Sequence, residues 1–210
     1  MKTCAIIGSG DLGQQIAYHV TQNHQYDVAG YFNDFISRGD VVGQFPILGG
    51  QDDILPCFDA GAFDVLFIGV GYAHLDFRAA MYDKFEGRIP YGRMIHPSAY
   101  VDPSCSVGEG AVIFPGGVLD MNTVLEPNVL LNTGVHIAHD STIGKHSFLS
   151  PAVAVAGFVN IGSCCNIGIN TTIIDNIQIA SNVQTGGGTT VIRHLTKPGL
   201  YVGTPARLVR

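Results

Sequence analysis

Residues 131–149 read LNTGVHIAHDSTIGKHSFL, with aliphatic side chains at Leu131, Ile137, Ile143 and Leu149, each six residues after the last. Extended both ways, the same count runs from Ile95, Val101, Val107 and Ile113 to Ile173, Ile179, Thr185 and Val191. Sixteen of these seventeen positions are aliphatic, and the register never slips. Four residues after each stands a small or medium residue, as at Ala99, Cys105, Ala111, Gly117, Thr123, Val129, Ser141 and Ser147. Asn, Gly, Asp, Pro and Ser, the turn formers, fall between them. A period of six matches neither a helix nor a hairpin meander; it matches a short strand followed by a corner.

Three such units close one triangular coil, and successive coils stack about 4.8 Å apart like strands of a parallel sheet. The aliphatic residue fills the triangular interior. The residue four later also points inward and must be small, because the interior is narrow. This is the hexapeptide repeat of a left-handed parallel β-helix, which departs from the usual right-handed crossover. Seventeen hexads at three per coil give between five and six coils.

A chain of 210 residues is enough for one large or two small domains with a real core. Charged residues make up only 13 %, and the polarity comes from Gly (27), Asn, Ser and Thr. That argues against disorder and against helical bundles with charged surfaces. A net charge of −6 disfavours electrostatic binding to nucleic acid. No apolar run approaches the roughly 20 residues of a membrane span. The apolar part of Met1–Gly8 is too short for a signal peptide. Five cysteines without a framework spacing suit a reducing compartment, so a cytoplasmic protein is expected, with the cysteines as small packing residues.

Residues 1–92 have a different grammar. Thr3–Ile7 reads as a buried strand running into Gly8-Ser9-Gly10-Asp11-Leu12-Gly13 and a helical stretch from Gln14 to Asn23. A second strand, Asp27 to Phe32, ends at Asn33-Asp34, 20 residues after Gly13. A third apolar run, Asp64 to Gly71, precedes a helix from about His74 to Phe85. A glycine-rich turn between strand and helix lets a phosphate approach backbone N–H groups at the positive helix end. An acid closing the second strand suits a ribose hydroxyl. The pattern predicts an α/β, half-Rossmann mononucleotide-binding unit, with Gly8, Ser9, Gly10 and Gly13 at the phosphate turn and Asn33 and Asp34 at the ribose. One half without its second suits a nucleotide attached to something else.

Histidine is the ordinary general base near neutral pH, and there are eight. His19, His24 and His74 read as surface residues of the first unit, and His96 and His194 lie at the ends of the repeat. His139 is the third residue of the hexad starting at Ile137, so it projects from a corner, and Asp140 follows it to orient the ring. Gly157 lies 18 residues on, one coil away, where a missing Cβ leaves space and a backbone N–H can meet a developing oxyanion. His136 reads as structural or as a neighbour of the site, and His146 as surface-exposed. A base facing an N–H donor suits acyl transfer.

These residues resemble the two-domain sugar-nucleotide acetyltransferases of the left-handed β-helix superfamily, including nucleotide-4-amino-sugar N-acetyltransferases and sialic-acid O-acetyltransferases. The resemblance covers essentially the whole chain. Its most specific stretch is Leu131 to Gly144, followed by Ser150-Pro151, Ala156-Gly157, Thr185 to Gly188 and Tyr201 to Arg207. It implies an acetyl-CoA-dependent N-acetyltransferase of bacterial surface-glycan synthesis, with domains at 1–92 and 93–210. It also implies a homotrimer with active sites between subunits and no metal. His139 would be the base, Asp140 its orienter, and Gly157 the donor to the thioester carbonyl. Ile169 and Gly187, which are 18 residues apart and so stack, would line the CoA channel. The nucleotide would sit at Gly8 to Gly13, Asn33-Asp34 and the Gly69 to Gly71 turn.

The chain departs from that family at two points. Many members carry a second histidine nine residues after the base, where this chain has Phe148. A polar pair is expected after Gly71, where Tyr72-Ala73 stands. The sugar and the base (uracil, thymine or guanine) stay open. O-acetylation of a sugar or sialic-acid hydroxyl is the nearest alternative, since a histidine base serves either nucleophile. A zinc-dependent β-helix hydratase using His136, His139 and His146 is a more distant one.

Overall fold

A computed structural model describes residues 1–209. The chain divides into two compact units, Met1–Met94 and Ile95 onward. No helix among the described residues is long and apolar enough to cross a membrane.

The first unit is built on β1 (Thr3–Ile7), β2 (Asp27–Phe32), β3 (Val41–Val42), β4 (Phe45–Gly49) and β5 (Val65–Ile68), in sheet order β3-β4-β2-β1-β5. Strands β4, β2, β1 and β5 run parallel, and β3 closes the edge as an antiparallel hairpin with β4. Parallel neighbours require crossover connections. Helix α1 (Asp11–Gln22) links β1 to β2, α2 (Ile54–Asp59) stands between β4 and β5, and α3 (Leu75–Phe85) follows β5. Strands β1 and β5 are apolar at almost every position because both faces are covered. Ala5, Ile7, Leu66 and Ile68 pack with Met81, Tyr82 and Phe85 of α3 in one core.

Helix α1 starts three residues before the Gln14 that the sequence pattern predicts. Gly10 caps it in an extended conformation and Asp11 places an acid in the first turn, so Asp11, Leu12 and Gly13 are already helical. The 3₁₀ turn Tyr72–His74 similarly occupies the start expected for α3. The β3–β4 hairpin and α2 have no signature in the sequence: strands of two and five residues and a six-residue helix leave little periodicity to read.

The second unit consists of seventeen two- or three-residue strands, one per hexad from Met94–Ile95 to Thr190–Val191. They stack into three parallel sheets. Each residue pairs with the residue 18 positions on, as Val118 with His136 and His136 with Ala154. In nearly every strand the hexad aliphatic is the second residue and lies inside: Leu119, Ile137, Val155 and Ile173 are all below 5 % exposed. Burying each contributes about 2 kcal/mol. The inward positions four residues later are buried as well, among them Ala111, Thr123, Val129, Ser141 and Ser147. Their hydroxyls are satisfied, as where Ser141 Oγ donates to Ala156 O at 3.0 Å and accepts from Val159 N–H at 3.1 Å. The C-terminal strands Gly199–Val202 and Arg207–Leu208 extend one of the three sheets.

Candidate functional site

From Gly110 to Gly188 every sixth residue turns the β-helix corner with a left-handed backbone, and Asp140 fills that place at φ 56. This turns His139 outward beside it. His139 Nδ1 lies 2.9 Å from Asp140 Oδ2, with the two side chains 42 % and 34 % exposed. Asn122, one coil earlier, donates from Nδ2 to Asp140 Oδ1 at 2.9 Å. That bond first, and the His139 contact second, hold the Asp140 carboxyl below the usual carboxylate range. An ionised Asp140 keeps the imidazole proton on Nδ1, which leaves Nε2 as the basic lone pair.

Gly157 lies against this ring. A Cβ built on Gly157 would stand 2.8 Å from His139 Cε1 and 2.9 Å from Nε2, so only glycine leaves the imidazole its place. The carbonyl of Gly157 accepts from Asn176 N–H and that of His139 from Phe158 N–H. The Gly157 N–H meets no protein acceptor among the described residues. A basic nitrogen, an orienting carboxylate and an uncommitted N–H thus meet at one corner, the set needed to deprotonate a nucleophile beside a developing oxyanion.

A shallow groove of about 370 Å³ crosses the adjoining sheet face. Its floor includes His136, Ala138, Ala154, Ala156 and Thr172. Ala138 and Ala156 directly precede His139 and Gly157, so the groove reaches the same corner. Ile169 is 55 % exposed on another corner, and a Cβ on Gly187 would lie 2.9 Å from its Cγ2. The structure therefore stacks Ile169 on Gly187, as it stacks His139 on Gly157.

In the first unit, a pocket of about 380 Å³ opens at the carboxyl ends of β1, β2 and β5. Gly8, Asn33 and Asp34 line it, together with Phe35, Gln51, Val70, His74 and Phe77. Asn33 Nδ2 donates to Ser9 Oγ at 2.7 Å, and Asn33 Oδ1 accepts from Phe35 N–H. Asp34 accepts from both the backbone and the side-chain N–H groups of Gln51. Gly8 needs its φ of 91 to leave the strand. Gly13 and Gly69 act in packing: a Cβ on Gly13 would be 2.1 Å from Gly8 O, and one on Gly69 2.5 Å from Gly13 Cα. Gly10 and Gly71 have open space at the Cβ position. Phe35, at 96 % exposure, together with Gln51, His74 and Phe77, escaped the sequence reading. An aromatic directly after Asn33-Asp34 was the available signal for the first of these.

The expectation that His146 is exposed is wrong. It is 5 % exposed, and its Nδ1 lies 2.9 Å from Asn128 Nδ2, the residue stacked one coil before it. Its position is a left-handed corner (φ 65) that happens to be covered, which residue type alone does not reveal. His136 is exposed on the groove. Among the described residues no three His, Cys, Asp or Glu side chains gather as metal ligands. Within one chain, His136, His139 and His146 do not form a cluster. No disulfide links the cysteines among the described residues, and Cys4 and Cys165 are buried.

No family model and no curated protein matches the sequence. Solved structures do. A mutant of perosamine N-acetyltransferase from Caulobacter crescentus, in complex with CoA and GDP-perosamine, is 25 % identical over 100 % of this chain and 98 % of its own, with a TM-score of 0.91. The acetyltransferase domain of PglB from Neisseria gonorrhoeae in complex with acetyl coenzyme A is 25 % identical over 99 % of each chain, with a TM-score of 0.89. WeeI from Acinetobacter baumannii shares the fold at 19 % identity and a TM-score of 0.86. The chain is thus similar along its whole length to sugar-nucleotide acetyltransferases of the hexapeptide-repeat β-helix superfamily.

Proposed function

We propose, from this full-length likeness, that the protein is an acetyl-CoA-dependent N-acetyltransferase acting on the 4-amino group of a nucleotide-linked amino-deoxysugar. The observation that carries the reading is the His139 ring, bound to Asp140 at Nδ1 and seated on Gly157. In the reaction the sugar amine attacks the thioester carbonyl carbon and a C–N bond forms. His139 Nε2 takes the amine proton. The carbonyl oxygen gains negative charge, and the Gly157 N–H donates to it. The intermediate collapses with cleavage of the C–S bond, and the CoA thiolate leaves to be protonated, returning His139 to its basic form.

The pantetheine arm is assigned to the small-residue groove lined by Ala138 and Ala156, and Ile169 and Gly187 to the CoA channel. Residues 1–92 act as a half-Rossmann sugar-nucleotide domain, with the nucleotide against Gly8, Ser9, Gly10, Asn33 and Asp34 and near Gly71. Residues 93–210 act as a left-handed β-helix acyltransferase domain. The active unit is a homotrimer with sites between subunits. The reaction belongs to the cytoplasm, a reducing compartment that suits five cysteines without a framework spacing, and to bacterial surface-glycan synthesis.

The test is thiol release from acetyl-CoA against UDP-, dTDP- and GDP-linked 4-amino sugars, with the matching hydroxyl sugars alongside. Release that requires one amino sugar and disappears in His139→Ala supports the reading. Release with hydroxyl acceptors alone moves the enzyme to O-acetylation with the same base, and no release with any acceptor rejects it.

A further inference from the structure

Between Gly110 and Gly188 the backbone turns left-handed once in every six residues, at fourteen successive corners. Four of these residues are glycine and five are asparagine, the types that accept positive φ most readily. Asp140, His146, Ala152 and Cys164 are small or polar. The remaining one is Phe158, at φ 58. A bulky side chain there is a conformational outlier, and such strain persists where the surroundings or the function require it. Core burial does not supply the reason, because Phe158 is 53 % exposed.

Its ring meets His139 instead. The centroids are 5.1 Å apart and the planes stand at 87°, the edge-to-face arrangement that ring quadrupoles favour. The Phe158 N–H also donates to His139 O at 3.1 Å, so one residue holds both the backbone and the ring of the histidine.

We propose that Phe158 is a positioning residue that fixes the imidazole of His139 for proton transfer; the proposal rests on the reading of His139 as the base. The hydrogen bond from Nδ1 to Asp140 sets the tautomer but leaves the ring free to swing about that contact. Gly157 closes one approach and the Phe158 ring another, so Nε2 keeps a single aim. A shift of about 1 Å in a catalytic group can lower turnover by up to about 100-fold, which is reason enough for a strained corner to be retained.

The experiment uses the intact chain with acetyl-CoA, the sugar nucleotide that the acceptor panel identifies, and the variants Phe158→Asn, Phe158→Tyr and His139→Ala. Asparagine is the residue that five sister corners carry, so Phe158→Asn relieves the strain. Its melting temperature should hold or rise by about 3 °C. Its kcat should fall about tenfold while KM for acetyl-CoA stays within about twofold. Phe158→Tyr, which keeps the ring, should restore kcat to within about twofold. In selectively labelled protein the His139 Cε1–H resonance, shifted by the neighbouring ring current, should move in Phe158→Asn and stay in Phe158→Tyr.

Unchanged kcat in Phe158→Asn, a melting temperature that falls in step with kcat, or an unmoved His139 resonance would overturn the proposal. His139→Ala separates the two layers. If it retains full turnover, the base assignment itself fails. If it is inactive while Phe158→Asn is fully active, only the positioning role fails.

Discussion

Gly157 sits so close beneath His139 that a single methyl group there would stand 2.8 Å from Cε1 of the imidazole. The repeat enforces this approach, because residues 18 apart stack coil on coil, and neither partner can retreat without breaking the ladder bonds on both sides. Gly157→Ala should therefore leave the β-helix folded and displace the base. Turnover should fall by about 100-fold with little change in acetyl-CoA affinity. Steady-state kinetics beside equilibrium CoA binding checks this, and a variant with near-normal kcat removes the stacking from the mechanism.

The Asn122–Asp140–His139 chain fixes the form of the pH dependence. Asp140 is held below its ordinary carboxylate range, so whatever it adds to stability is present above the unfolded carboxylate pKa and is lost only as the pH falls through the lowered folded value. It is therefore ionised throughout the neutral range, where it accepts the Nδ1 proton of His139. Asp140→Asn removes that carboxylate and frees the tautomer, so kcat should fall by about 100-fold while KM for acetyl-CoA changes little. Steady-state kinetics checks this, and near-normal kcat in Asp140→Asn contradicts the assignment.

The second unit could be read almost residue by residue because its interior is narrow. One aliphatic and one small residue per hexad are required wherever the coil continues, so Leu131, Ile137 and Ile143 announce the fold without any knowledge of their partners. The same arithmetic stacks His139 with Gly157 and Ile169 with Gly187. It does not show which corners are covered, and His146 is buried at one of them. Nor does a hexad count show that Phe158 turns its ring toward His139, since residue type gives no side-chain direction. In the first unit the glycine pattern marked the β1–α1 turn, but it did not separate Gly8, which lines the pocket, from Gly13 and Gly69, which let backbone elements touch.

That division of labour among the glycines makes a prediction of its own. Gly13→Ala forces a methyl group onto the Gly8 carbonyl, at 2.1 Å, and must push α1 from the strand end. Overpacking of this kind costs about 1–3 kcal/mol. The cost should appear as a lower melting temperature and as loss of the thermal shift produced by the preferred nucleotide among UDP, dTDP and GDP. Gly10→Ala meets nothing within 4 Å and should fold normally. Equal behaviour of the two variants would count against close packing as the role of Gly13.

Arg78 is a fully buried guanidinium on α3. Its Nη1 donates to the carbonyl of Ile68 at 2.7 Å and to that of Val70 at 3.3 Å, at the end of β5 where the chain turns into the pocket. Burial lowers its pKa to about 10, so it remains charged at neutral pH. Arg78 therefore pins the Gly69–Gly71 turn and holds positive charge behind the pocket assigned to the nucleotide. Arg78→Met keeps much of the volume but deprives the buried Ile68 carbonyl and the part-buried Val70 carbonyl of their donor, which should destabilise the first unit by about 2 kcal/mol. Lysine lacks the planar fork and should not rescue it. Nucleotide diphosphate affinity should weaken about tenfold, equivalent to about 1.4 kcal/mol, as the turn loosens and the charge is lost. If Arg78→Met melts like the wild type and binds the nucleotide as tightly, the buried cation is a packing element with no bearing on the pocket.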